Sequence, residues 1–303
     1  MKTTFYSNGK LLITGEYLVL DGAKALALPT KFGQNLVVEK SNNHEIKWTS
    51  FDADGSIWFD ETIPLTAITS KIPLETESIK NTLITILRTA HQLNPNELII
   101  SEGYIVTTQL SFPRKWGLGT SSTLINNIAQ WFQIDAFTLL KKSFGGSGYD
   151  IACAQNNTPI LYHLEQEKPI AKIVQYNPSF RENIYFVYLN QKQNSKSAID
   201  SYKEKKNDLA TQKEVINQIT QKVLNAENET IFAKALENHE KVLSAILDTK
   251  TVKESLFPDF EGTVKSLGAW GGDFVLVVSK ENPTSYFLAK GYETIIKYND
   301  MIL

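Results

Sequence analysis

The chain has 303 residues, 42% of them apolar, 11% aromatic and 21% charged, enough to bury a substantial core in one large domain or two smaller ones. A formal net charge of -2 with no long block of either sign excludes the electrostatic footprint of a nucleic-acid or membrane-surface binder. The N-terminal MKTTFYSNGK lacks the apolar centre of a signal peptide and no run of about 18 apolar residues occurs, so a cytoplasmic protein without a membrane span is expected.

The first third alternates short β-type runs with turns: 11–13, 17–20, 36–38, 46–48 and 57–59. This predicts a largely antiparallel sheet. Ile79, Leu83, Ile86, Leu87 and Ala90 then recur at helical spacing behind Ser78, predicting a helix over 78–91 with Ser78 as its N-cap. Strands are expected again at 98–100 and 105–108, leading into Pro113-Arg-Lys-Trp-Gly-Leu-Gly-Thr-Ser-Ser122, after which Leu124, Ile125, Ile128, Trp131 and Phe132 mark one helix face. A second glycine turn, 145–148, precedes Tyr149-Asp-Ile-Ala-Cys-Ala154, a segment rich in helix formers. Strands at 159–162, 170–176 and 184–189 follow. Residues 198–250 are rich in Lys, Glu, Gln and Asn with helical periodicity, which predicts two surface helices with a turn inside 225–230. A helix at 262–267, the glycine turn 268–273 and a strand at 274–278 close the pattern. No composition break marks a linker, and the domain division is placed at 165/166.

The one cysteine, Cys153, stands in an apolar run and reads as a buried, inert thiol, and the four scattered histidines lack metal-ligand spacing. The segment Gly117-Leu118-Gly119-Thr120-Ser121-Ser122 carries the most chemistry. Glycines let a chain approach an anion without a Cβ clash, a helix start offers unpaired N–H groups, and the three hydroxyls add ligands. The same string read blandly is a tight turn with a serine cap. It is neither a Walker A loop nor a dinucleotide fingerprint, since GxxxxGK[ST] and GxGxxG after a first strand are both absent. Asp150 either caps its helix or accepts the proton of an attacking hydroxyl. Lys10, at the start of an apolar strand, is either a solvated charge or a cation that stabilises charge on a transferred phosphoryl group. Glu16 reads as a structural salt-bridge partner. Gly268-Ala-Trp-Gly-Gly-Asp273 is either a β-turn or a wall shaped by glycines.

Taken in order, SNGKLLITGEYLVLDG, PRKWGLGTSS, GSGYDIACA and LGAWGGDFVLVV resemble the motifs of the galactokinase/homoserine kinase/mevalonate kinase/phosphomevalonate kinase (GHMP) superfamily, with the first and third most similar to phosphomevalonate kinases. The resemblance implies an α+β protein of two domains: residues 1–165, an ATP-binding domain like a ribosomal protein fold, and residues 166–303, a ferredoxin-like domain, with substrates in the cleft between them. It implies Lys10 and Asp150 as catalytic residues, Gly117, Leu118, Gly119, Thr120, Ser121 and Ser122 as the nucleotide loop, Ser121 as a Mg²⁺ ligand, and ATP and Mg²⁺ as cofactors. The partner implied is a small-molecule acceptor, mevalonate or phosphomevalonate, bound by a monomer or homodimer. Arg114, Lys115, Lys141 and Lys142 are either candidates to neutralise an acceptor phosphate or ordinary solvated surface charges. Trp116, Thr120, Ser122, Trp270 and Asp273 depart from the family pattern, and the acidic Mg²⁺ ligand of mevalonate kinases has no counterpart near Leu139 and Leu140. A diphosphomevalonate decarboxylase and a non-catalytic regulator of the same fold are the alternatives.

Overall fold

A computed structural model describes residues 2–70, 72, 74, 78–99, 102–191, 199–200, 202–204, 209–268, 270 and 272–303. The chain forms two compact units, Met1–Gly9 with Phe32–Arg114 and Leu118–Gln155, and Lys10–Lys31 with Lys115–Gly117 and Asn156–Leu303. This division is discontinuous in sequence and so differs from a single cut at 165/166. The reason is that strands β1 (Lys2–Leu12) and β2 (Ala25–Ser41) are long enough to serve both units.

In the first unit, the later part of β2 pairs antiparallel with β5 (Gly103–Leu110), from Gln34 opposite Leu110 to Ser41 opposite Gly103. Strand β3 (Glu45–Phe51) is antiparallel to β4 (Ile57–Pro64) and parallel to β5. The parallel pair requires a crossover, which includes α1 (Leu65–Thr69) and α2 (Ile79–Leu93). Ser78 caps α2 by accepting the Asn81 N–H at 3.0 Å, as its sequence predicts. Helices α3 (Thr120–Trp131), α4 (Ala136–Ser143) and α5 (Tyr149–Gln155) complete the unit. Their apolar faces share one core with the sheet, in which Trp48, Leu87, Tyr104, Ile128 and Phe132 are buried.

In the second unit, the first part of β2 pairs with β6 (Ile160–Glu165), and β6 with β7 (Lys168–Ile173). A separate antiparallel sheet has the order β11-β8-β10-β9, made of β8 (Ile184–Tyr188), β9 (Thr263–Ser266), β10 (Phe274–Val278) and β11 (Ile295–Lys297). Helices α6 (Ala210–Leu224) and α7 (Glu229–Leu247) pack on each other, and α7 packs on β9. They are the two helices expected over 198–250, and the turn between them ends at Asn228, whose side chain accepts the Ile231 N–H at 3.0 Å. Short helices α8 (Val252–Leu256), α9 (Thr284–Ala289) and α10 (Tyr298–Met301) follow.

Three expected elements differ. Residues 17–20 are not a strand: Leu18–Asp21 is a 3₁₀ turn, because Gly15 (φ 88°) and Tyr17 (φ 62°) take the left-handed region and fold the run inward. Residues 262–267 are not a helix: Thr263–Ser266 is strand β9, with all four residues buried. A run of that length is too short for periodicity to separate helix from buried strand. Leu98 and Ile99 lie outside any strand. Residues 100, 198, 201, 205–208, 269 and 271, which the sequence expectations also included, lie outside the described residues. Among the described residues no helix is long and apolar enough to cross a membrane.

Candidate active site

The glycine loop does open a helix. Gly117 (φ 69°) and Gly119 (φ 101°) adopt left-handed backbone, where L side chains are strained. Gly119 is the N-cap of α3, and it supplies no side chain to the first-turn N–H groups. A helix start capped this way is suited to an anion. The hydroxyls behind it divide by role. Ser122 is buried and donates to Gly119 O at 2.9 Å, whereas Ser121 is exposed on the same turn. Ser122 thus braces the loop, and Ser121 presents a hard oxygen of the kind Mg²⁺ accepts. Among the described residues no group of three or more His, Cys, Asp or Glu side chains can hold a metal. The exposed Ser121 hydroxyl at the start of α3 is the hard oxygen of the loop that would suit Mg²⁺, an ion that commonly takes its other oxygens from phosphate and water.

Asp150 sits in the first turn of α5, half-buried, with the Ile151 N–H on its Oδ1 at 3.2 Å. Helix α5 packs on α3, so this carboxylate and the loop residues Leu118–Ser122 belong to one packed pair of helices in the first unit. Beneath them runs a buried polar network that sequence reading missed. Gln155 Nε2 donates to Asn126 Oδ1 at 3.0 Å, Asn126 Nδ2 to Ser7 Oγ at 2.8 Å, and Ser7 Oγ to Asn127 Oδ1 at 2.7 Å. Asn127 Nδ2 and Thr123 Oγ1 donate in turn to Gln34 O and Gln34 Oε1, at 2.9 and 2.7 Å. Asparagines on a helix at apolar-looking positions carry only a weak signal, since their partners come from three other elements. Cys153 is a buried thiol outside any disulfide, as expected.

In the second unit Lys10 reaches the loop's first residue: its Nζ donates to Gly117 O at 3.0 Å. Sequence alone left it as a possible surface charge. Gly117 also faces Asp273, which is buried and itself at positive φ (53°). A Cβ on Gly117 would stand 2.3 Å from Asp273 Oδ2, so only glycine fits there. Trp116 lies edge-on to Phe274 at 5.5 Å, and Tyr188 donates its hydroxyl to Lys115 O at 3.2 Å. Burial, and then the Asp273 charge, push that tyrosine hydroxyl up. Arg114 in the first unit stacks on Trp58 at 4.8 Å, and Lys141 and Lys142 are exposed in the last turn of α4, where they complement its dipole.

The turn after β1 is anchored by a buried charge cluster. Lys265, with no solvent exposure, donates to Glu16 Oε1 at 2.5 Å and stands 3.8 Å from Glu240 Oε1. Gly15 N–H donates to His239 Nε2 at 2.9 Å, which occupies that nitrogen's lone pair and places the ring proton on Nδ1, so Nε2 donates no hydrogen to Glu16 Oε2, 3.3 Å away. Burial, then the Lys265 charge, hold His239 well below the usual imidazole range, so it is neutral. Tyr17 accepts the Trp270 N–H on its hydroxyl at 2.9 Å, and Tyr202 donates to Asp21 Oδ2 at 2.5 Å. Glu16 is thus the structural pair its sequence suggested, and the GEYLVLD segment has an anchoring role.

This architecture matches that of solved small-molecule kinases. The chain is similar to the Methanococcus jannaschii mevalonate kinase at 15% identity, over 97% of this chain and 96% of that one, with a TM-score of 0.70. It is similar to the Streptococcus pneumoniae phosphomevalonate kinase in complex with phosphomevalonate and AMPPNP at 16% identity, over 97% and 99%, with a TM-score of 0.70. The Lactococcus lactis galactokinase complexed with galactose follows at 14% identity, over 98% and 92%, with a TM-score of 0.66. No protein-family model matches the chain. No curated protein matches it significantly. The chain has the α+β fold of the GHMP kinases over nearly its whole length.

Proposed function

We propose that this protein is a GHMP-type kinase that transfers the γ-phosphoryl group of ATP to a small metabolite, with mevalonate or phosphomevalonate as acceptor. The observation that carries the reading is the glycine-capped start of α3, with Lys10 bound to the carbonyl of the loop's first glycine, in a fold otherwise seen in kinases of such substrates. The loop from Gly117 to Ser122 holds the phosphates through backbone N–H groups, and the Lys10 ammonium offsets charge that builds on the transferred group. Asp150 accepts or orients the proton of the acceptor's oxygen as that oxygen bonds to the γ-phosphorus and the bond to the ADP oxygen breaks. Ser121 would help hold a Mg²⁺, which would supply charge neutralisation when bound. The mevalonate branch is favoured by the SNGKLLITGEYLVLDG and GSGYDIACA segments, and by the basic residues Arg114 and Lys115 beside the loop.

The test is ADP release with Mg-ATP against mevalonate, phosphomevalonate, diphosphomevalonate, homoserine and simple sugars, with product masses recorded. One acceptor gaining one phosphoryl group supports the reading and names the substrate. Release of CO₂ from diphosphomevalonate replaces it with the decarboxylase. ATP binding without turnover on any acceptor moves the weight to a regulatory role.

A further inference from the structure

We propose that Asn126 and Gln155 are positioning residues, which seat the helix carrying Asp150 on the helix that starts at Gly119 and presents Ser121. The inference rests on the kinase reading and adds to it the device that places its base. All the residues concerned lie in the first unit. Five polar side chains, Ser7, Gln34, Thr123, Asn126 and Asn127, are buried where α3 meets β1 and β2. Their hydrogen bonds run in one direction, and a single carbonyl decides it. Gln34 O can only accept, so Asn127 turns its Nδ2 toward that oxygen at 2.9 Å and its Oδ1 toward Ser7. Ser7 Oγ gives its one proton to Asn127 Oδ1 at 2.7 Å and must accept from Asn126 Nδ2 at 2.8 Å. Gln130 Nε2, 3.3 Å from the same Ser7 oxygen, is a second donor to it. Asn126 is left presenting an acceptor, Oδ1, to α5. The group that meets it there is a donor, Gln155 Nε2, at 3.0 Å.

Burying amides carries a desolvation cost that an apolar interior avoids, and a satisfied network of this kind fixes geometry in return. Its inner links fix α3 on the sheet, and its last link reaches α5. That helix has seven residues and is entered through Gly145, Gly146 and Gly148, all at positive φ. A Cβ on Gly145 or Gly146 would meet nothing within 4 Å, so these two positions give the entry no grip. The buried side chains of α5 are Ile151, Ala152, Cys153 and Ala154, three of them small and unbranched. Gln155 ends the helix with a directional bond, five positions after Asp150, or about 7.5 Å along the axis. A helix this short moves as one piece, so slack at Gln155 passes to the carboxylate. A reacting group misplaced by about 1 Å is enough to slow a reaction about a hundredfold.

Asn126 is buried and its replacement would disturb the core, so its exposed partner is the one to change. Steady-state kinetics with Mg-ATP and the acceptor that the panel above identifies are measured for the parent, Gln155→Met, Gln155→Glu and Gln155→Lys, with thermal unfolding of each. Methionine and ionised glutamate keep the length of the side chain and offer no hydrogen, whereas lysine again offers a donor to Asn126 Oδ1. The expected result is a kcat lowered by about tenfold or more in the Met and Glu variants, with KM for Mg-ATP and the unfolding midpoint at parental values, and most of kcat recovered in Gln155→Lys. Parental kcat in Gln155→Met overturns the inference, whatever the charged variants do, and so does a Lys variant as slow as the Met variant. A fall in kcat that tracks a lowered unfolding midpoint makes Gln155 a packing residue and also overturns it. Each of these leaves the kinase reading standing. A parent protein that turns over no acceptor overturns both.

Discussion

Replacing Glu240 with Gln tests the buried cluster directly. Burial pushes the Glu240 carboxyl up to about 7, against the pull of Lys265, while the Glu16 charge pushes it further up. Lys265 and Glu16 already neutralise each other at 2.5 Å, so ionising Glu240 leaves an uncompensated buried charge. A carboxyl raised in the folded protein binds its proton more tightly there than in the unfolded chain. Its contribution to stability is therefore complete below the unfolded value of 4.5 and is lost as pH rises to about 7. At about 1.4 kcal/mol for each tenfold in proton affinity, the loss is about 3 kcal/mol. His239 acts in the opposite sense. Held neutral in the fold, it contributes stability above its unfolded value of 6.5 that falls away as pH drops, so the parent's own profile mixes the two. Glu240→Gln isolates the carboxyl, because glutamine keeps the shape and carries no proton to lose. Urea unfolding of both proteins at pH 5, 6, 7 and 8 reads the difference. The variant is expected to lie within about 1 kcal/mol of the parent near pH 5 and to exceed it by about 3 kcal/mol at pH 8. A difference that stays flat across that range would refute the reasoning.

Asp150→Asn is expected to lower turnover by about 10²–10⁴-fold, the usual contribution of a general base, with ATP affinity nearly unchanged; turnover near that of the parent would remove Asp150 from the mechanism. Gly117→Ala places a Cβ 2.3 Å from Asp273 Oδ2 at a backbone φ of 69°. Calorimetry should show ATP affinity reduced about tenfold or more, and denaturation a stability loss of about 1–2 kcal/mol. Parental affinity in that variant would mean that the loop does not hold the nucleotide in the described conformation.

Local signals in the sequence carried much of this protein. Periodicity and capping residues are properties of neighbouring side chains, so Ser78 at the start of α2 was legible, as were the turn before α7 and the glycine entry into α3. The glycines at 117 and 119 announced a close approach because that is the physical use of a residue without a Cβ. Short runs were not legible, since Leu18–Asp21 and Thr263–Ser266 each span too few residues to show a period, and the burial of Leu18, Val19 and all of Thr263–Ser266 is imposed by distant chain. The same limit applies to charge. Lys265 and Glu16 are 249 positions apart, and nothing local to either says that both are buried or that they meet. Nor does the sequence around Asp273 say that its carboxylate lies on Gly117. The sequence by itself determined which segments can form a phosphate-type loop and which side chains can do proton or charge chemistry, because these are properties of residue type and spacing. Only the tertiary structure decided which charges are desolvated and against what, because burial and pairing arise from contacts between segments that the chain brings together by folding.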